Sequence, residues 1–200
     1  METEGVAVDD FVKLFEGNVV DLDAIAVELD ALDHAGRVAA TRRLGKSAQA
    51  RLFDAAAGRG GLSLLSIVPA GVPLRTAVRH HGKNTLPLFS KFEKRFCRPS
   101  PGSERLWGYN HQSLAWLTGP GYFLARADVP SGEIVIEYSD VPPETPDGWP
   151  RVRPNTSGMG RIVYGGMVDV LRRVSRHVTI GSAFKKGKSI NSWFILCRED

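Results

Sequence analysis

The chain has 200 residues, 42% of them hydrophobic, with 26 Lys and Arg against 22 Asp and Glu and two cysteines. That size suits one large domain, or one domain with an appended bundle. No run approaches the ~18 apolar residues of a membrane span, and the acidic start METEGVAVDD lacks a signal-peptide pattern. Cys97 and Cys197 form no CxxC or Cys/His metal spacing. The expectation is a cytoplasmic protein with two reduced, buried thiols.

Charge is distributed unevenly. Residues 1–33 hold ten acids and a single base, Lys13, whereas the rest holds 25 bases against 12 acids. The acidic segment is therefore expected to pack on or near the basic body; the alternative is a basic surface that meets nucleic acid or an acidic partner.

Helical signals open the chain. Asp9 and Asp10 precede Phe11, Val12, Leu14 and Phe15, and Asp21 can cap a helix carrying Leu22, Ile25, Ala26, Leu29 and Leu32. A third helix runs from about Ala35 to Leu44, and a fourth, capped by Ser47, carries Leu52 and Phe53. Gly58-Arg59-Gly60-Gly61 closes this region, giving an acidic helical N-terminal subdomain over 1–58 and a second unit over 62–200. The turn at Arg42–Lys46 admits a DNA-reading helix-turn-helix, but no residue selects it over an ordinary helical hairpin.

Leu62–Val68 reads as a short strand or an apolar plug, and Pro69–Pro73 as a turn. His80 and His81 are neighbours on an extended segment, so they point to opposite sides; as metal ligands they need partners such as His111 or His177 from elsewhere. Beyond Pro87, the spacing of Phe89, Phe92 and Phe96 predicts an amphipathic helix with Lys91, Lys94, Arg95 and Arg98 on its solvated face.

Strands follow near Leu106–Tyr109 and Ser113–Thr118, with a third from Tyr122 and a fourth over Glu133–Tyr138. Trp107, Tyr109, Trp116, Tyr122 and Phe123 make this the most aromatic portion, and Asn110 and His111 sit at a strand corner. Aromatic walls with a few oriented polar groups suit a flat organic ligand. The proline-rich loop that follows contains Trp149, which argues for a loop that docks.

From Ser157 the pattern predicts a helix bearing Met167, Val170, Leu171 and Val174 on one face, with Gly158, Gly160, Gly165 and Gly166 in its first half. Arg161 near its start is placed to help hold an anion. The period then changes to two. Val178–Phe184 and Trp193–Leu196 read as a hairpin about a turn at Lys185–Lys188.

Two strands, a loop, a helix opening on Tyr164-Gly165-Gly166 and a terminal hairpin resemble, over about 122–198, the C-terminal layout of small-molecule-binding domains of the 4-vinyl-reductase and haem-nitric-oxide-binding type. The resemblance is one of element order; it implies a small-molecule-binding fold and carries over no binding residue.

No GxSxG elbow, SxxK, kinase set or suggestive carboxylate pair is present. The enzymatic alternative rests on Cys97, flanked by Arg95 and Arg98, which would lower its pKa, with His111 or another histidine brought near it as a base, or on metal held by His80 or His81. The sequence thus predicts an α+β protein: a helical N-terminal subdomain, then an antiparallel sheet with packed helices and a C-terminal helix–hairpin unit. Its function reads as a non-enzymatic small-molecule-binding or sensor module of a soluble bacterial-type protein. The predicted pocket is lined by Trp107, Tyr109, Asn110, His111, Trp116, Tyr122, Trp149, Gly158, Gly160, Arg161 and Tyr164, with ligand and cofactor unspecified. Nucleic acid or an acidic partner bound through Lys91, Lys94, Arg95, Arg172, Arg173 and Arg176 is the alternative. A protein partner or a second copy of the chain is also compatible, and no membrane association is expected.

Overall fold

The computed structural model describes residues 11–17, 19–87, 90–111, 119–152, 155 and 164–200. Eight antiparallel strands form a closed barrel in sequence order: β1 (Val78–Asn84), β2 (Lys91–Cys97), β3 (Arg105–His111), β4 (Tyr122–Asp128), β5 (Glu133–Glu137), β6 (Met167–Arg173), β7 (Val178–Lys185) and β8 (Lys188–Arg198). β8 closes on β1, with Gly82 opposite Leu196. Closure leaves no sheet edge unpaired.

This architecture corrects the expected α+β arrangement, in which helices pack on an open sheet. Two predicted helices are strands. Phe92 and Phe96 lie on β2, where Lys94 shares their face, and Met167 to Leu171 lie on β6. The remaining predicted helices are α1 (Leu22–Ala31), α2 (His34–Arg43) and α3 (Lys46–Ala55), and Leu62–Val68 contributes one turn, α4 (Leu64–Ile67). Asp21 caps α1 through bonds from the Asp23 and Ala24 amides, as expected; α3 starts two residues earlier than expected, capped by Gly45 in place of Ser47 and without a side-chain cap bond. Asp9 and Asp10 lie outside the described residues.

The alternation of each strand divides the apolar residues between two cores. Inside the barrel, Phe96, Leu106, Phe123, Ile134, Ile136, Leu171 and Leu196 are buried together. Outside it, Val178, Ile180, Ile195 and Cys197 of β7 and β8 meet Ile25, Leu29, Ala40, Leu44, Leu52 and Phe53 of α1–α3. The helices are thus a layer on one outer face of the barrel. Arg172 fastens that layer: its guanidinium stacks on the Phe53 ring at 3.8 Å, donates to the Phe53 carbonyl and pairs with Glu133 at 2.6 Å.

Three cross-strand glycine–phenylalanine pairs fill the barrel interior: Gly82 with Phe92, Gly108 with Phe123 and Gly181 with Phe194. A Cβ on any of these glycines would meet its partner ring at 2.2–2.6 Å. Each phenylalanine therefore lies over a strand where no side chain stands, which lets a narrow eight-stranded barrel hold large rings. The β7–β8 hairpin turns on Lys186 and Gly187, both at positive φ (51° and 75°), the two-residue geometry that matches strand twist.

α4 plugs one mouth of the barrel. Ser63 and Ser66 form a reciprocal capping box at its start, and Leu62, Ile67 and Val68 enter the barrel core. Of the two readings of this segment, the apolar plug is the one that forms. Among the described residues no helix is long and apolar enough to cross a membrane.

Candidate functional site

The predicted pocket residues fall on both sides of the barrel wall, so they do not line one pocket. Trp107, Tyr109, His111 and Tyr122 are on the outer face, and Asn110, one residue from Tyr109 and His111, is inside. Trp149 docks as its presence in the loop suggested, with its ring 4.7 Å from that of Tyr109 and 6.2 Å from that of Tyr122; the Tyr122 hydroxyl donates to the Pro150 carbonyl. These contacts fill the aromatic surface with the protein's own side chains. Tyr164 is on the other side of the wall, stacked on Tyr138 at 5.1 Å. Trp116, Gly158, Gly160 and Arg161 lie outside the described residues.

The candidate Cys97–His111 pairing is not assembled. Along the β2–β3 ladder Cys97 stands opposite Trp107 and His111 opposite Glu93, four positions or roughly 13 Å apart. Burial pushes the Cys97 thiol up to about 12, with Arg75 opposing only in part, so the expected lowering of its pKa does not occur. Both cysteines are free and buried. His80 and His81 do point apart: His80 faces the barrel interior, whereas the His81 ring lies 5.2 Å from that of His34 in the helical layer. Among the described residues no three His, Cys, Asp or Glu side chains converge as a metal site.

The bases proposed as one surface are dispersed. Arg95 pairs with Glu93 at 2.8 Å and bonds the Tyr109 hydroxyl, and Arg172 is tied to Glu133. Lys94 is inside the barrel, 2% exposed. There its ammonium donates to Asp169 Oδ2 at 3.0 Å, Asn110 Oδ1 at 2.8 Å and the Tyr138 hydroxyl at 2.5 Å, so all three N–H bonds are used. The Phe123, Phe194 and Tyr138 rings surround it at 4.8–5.2 Å, and Tyr138 donates onward to Asp169 at 2.8 Å. Burial lowers the Lys94 pKa against the pull of Asp169, while burial and Asp169 raise that of Tyr138. A saturated, ring-enclosed ammonium is a structural centre: it fixes β2, β3, β6 and Tyr138, the residue just after β5, to one another. The alternation Phe92, Lys94, Phe96 was the signal in the sequence that placed Lys94 inside.

Open space occurs at the mouth that α4 plugs. A cavity of about 310 Å³ is lined by Leu62, Ser63, Leu65, Ser66 and Pro69 on the plug side and by His80, Arg173, Ser175, Arg176, His177, Thr179 and Arg198 on the barrel side. Register explains this gathering. His80 pairs across the ladder with Arg198, and Arg173 with Thr179, so neighbouring strands β1, β8, β7 and β6 each turn a polar residue to the same mouth. Four of these residues contain buried polar atoms without a partner: His80 Nδ1, Ser175 Oγ, Thr179 Oγ1 and Arg198 Nε. Leaving such groups unpaired costs about 1–3 kcal/mol each, and here the deficit is concentrated on one wall.

Electrostatically the cavity is cationic. No Asp or Glu lines it, and among the described residues no carboxylate lies within ion-pair distance of the Arg173, Arg176 or Arg198 side chains. Asp200 and Asp30 stand behind it, the first on Arg37 and on His177 at 3.2 Å, the second accepting from the Arg176 amide at 3.1 Å. Burial pushes the His80 imidazole down to about 3 in spite of its hydrogen bond to the Ile67 carbonyl, and burial with Arg198 and Arg37 nearby lowers His177. Sequence reading missed this site because its residues are spread from 62 to 198. Among known proteins, no family model and no curated protein matches the chain.

Proposed function

We propose that this chain is a non-enzymatic small-molecule-binding barrel of the cytoplasm, with its ligand in the cavity between α4 and the barrel mouth. The observation that carries the reading is that one cavity of about 310 Å³ is lined by His80, Ser175, Thr179 and Arg198, four polar residues that each hold a buried side-chain polar atom without a partner among the described residues. Its size is at the lower end of the range that small-molecule sites occupy. The wall comes from four paired strands and is held by ladder bonds, whereas α4 is a single turn that can yield to admit a ligand.

The test is native mass spectrometry of the full chain purified under gentle conditions, alongside Leu65→Trp. Leu65 lines the cavity yet is 55% exposed, so a larger ring there can occupy the mouth without entering the core. A retained molecule that the wild type holds and Leu65→Trp lacks supports the reading. Equal retention by both proteins, or none by either after exposure to a cell extract, overturns it.

A further inference from the structure

We propose that Lys94 and Asn110 join covalently inside the barrel: the Lys94 amine displaces ammonia from the Asn110 side-chain amide and leaves an amide cross-link between β2 and β3. The two residues are partners on the β2–β3 ladder, and their side chains meet in the interior, with Lys94 Nζ 2.8 Å from Asn110 Oδ1. The amide carbon is one bond beyond that oxygen. Amine and carbon are thus held as neighbours, which is what lets an otherwise slow acyl transfer proceed. The amide's orientation follows from its partners: Oδ1 faces the ammonium, which only donates, and Nδ2 faces the Gly121 carbonyl at 3.4 Å and the Tyr138 hydroxyl at 3.3 Å.

Every group the step requires is within reach. An ammonium is no nucleophile until it gives up a proton, and Asp169 Oδ2, 3.0 Å away, takes it. Burial favours that transfer, because two buried ions become a neutral amine and a neutral acid. The amine then attacks Asn110 Cγ; the new C–N bond forms and the Cγ–Nδ2 bond breaks. The leaving nitrogen needs a proton. The Tyr138 hydroxyl, 2.5 Å from Nζ and 3.3 Å from Nδ2, passes it the second proton of the amine. Ammonium, carboxylate and amide thus become cross-link, Asp169 acid and free ammonia, with atoms and charge balanced and no ion left at this centre. Asp169 is the base and Asn110 the acyl group because a carboxylate's charge repels a nucleophile, whereas the Asn110 carbonyl is neutral and polarised by Lys94. None of the four residues is more than 6% exposed, and the Phe123 and Phe194 rings enclose the ammonium, so water is kept from the reacting atoms.

Mass spectrometry of the full chain, denatured and reduced, tests this. The wild type is expected to be lighter than its sequence by about 17 Da, one ammonia. Trypsin does not cut after an acylated lysine, so digestion should yield one branched fragment that joins residues 92–95 to residues 106–126. Tyr138→Phe keeps the ring that stacks on Tyr164 and removes only the hydroxyl; it should link roughly 100-fold more slowly, so that full-mass chain persists after the wild type has finished. A wild type at full mass overturns the proposal. So does a loss of about 18 Da, one water, with the branch at Asp169, or a loss of about 17 Da confined to the Asn110 fragment, which marks a cyclised asparagine. Linking by Tyr138→Phe at the wild-type rate overturns the proton route through the hydroxyl.

Discussion

Replacing His80 by Gln should change how stability depends on pH more than it changes stability itself. In the folded chain His80 is buried against Phe96, with ring centroids 4.9 Å apart, and its pKa falls from 6.5 to about 3. The unfolded chain takes up a proton at this residue as pH drops below 6.5, while the folded chain does not until about 3. Stability contributed by the neutral ring is therefore complete above pH 6.5 and is lost as pH falls from there toward 3. Linkage puts the loss from this residue at about 2 kcal/mol at pH 5 and about 3.4 kcal/mol at pH 4, relative to pH 8. Gln does not titrate. His81 and His177 are also lowered and contribute in the same direction, but they do so in both proteins. The assay is urea unfolding followed by tryptophan fluorescence at pH 8, 6, 5 and 4. At pH 8 the variant is expected to be less stable, because it loses packing on Phe96. By pH 4 the deficit should have shrunk by about 3 kcal/mol or reversed, a relative midpoint change of more than about 1 M urea. Parallel stability curves for the two proteins would refute the reasoning.

The remaining predictions concern the barrel interior and its outer contacts. Lys94→Met leaves Asp169 as an uncompensated buried charge and should cost about 3–5 kcal/mol, whereas Lys94→Met/Asp169→Leu should recover most of that loss; urea midpoints measure both. Gly108→Ala places a Cβ 2.2 Å from the Phe123 ring and 2.7 Å from the Arg95 carbonyl oxygen, a crowding worth about 1–3 kcal/mol or more. Phe123→Leu should partly relieve that loss in thermal unfolding, because only the ring contact is removed. Cys97 and Cys197, with thiols pushed up to about 12 and about 11, should react with an aromatic disulfide reagent only as fast as the chain opens, and urea should accelerate labelling in step with unfolding. Trp149→Ala should leave the barrel folded but expose the 139–152 loop to protease, since Tyr109 and Tyr122 then lose the ring that holds it.

The elements that were legible in the sequence are those with local end signals. Asp21 announces α1, Gly45 separates α2 from α3, and the change of period at Val178 announces the β7–β8 hairpin with its turn at Lys186-Gly187. β2 and β6 were misread for a common reason. Phe92 and Phe96 are four apart, and Met167 and Leu171 likewise, a separation that is even and also close to one helical turn. Four residues therefore satisfy both periods, and a strand of seven is too short to break the tie. Composition favoured strand at β6, where Gly165 and Gly166 precede β-branched Val168 and Val170, residues that weaken a helix and fit a pleated surface.

By itself the sequence determined the helices α1–α3, the terminal hairpin, the free buried thiols and the docking of Trp149. Each follows from near neighbours or from the inventory of residue types. Tertiary structure alone decided that the strands close into a barrel, that Lys94 and Asp169 meet inside it, and that His80, Arg198, Thr179 and Arg173 share one mouth with α4. The physical reason is that these arrangements depend on ladder register between strands as far apart as β1 and β8. A one-residue slip there would turn every inward side chain outward, and no local pattern records which register the burial of the whole interior selects.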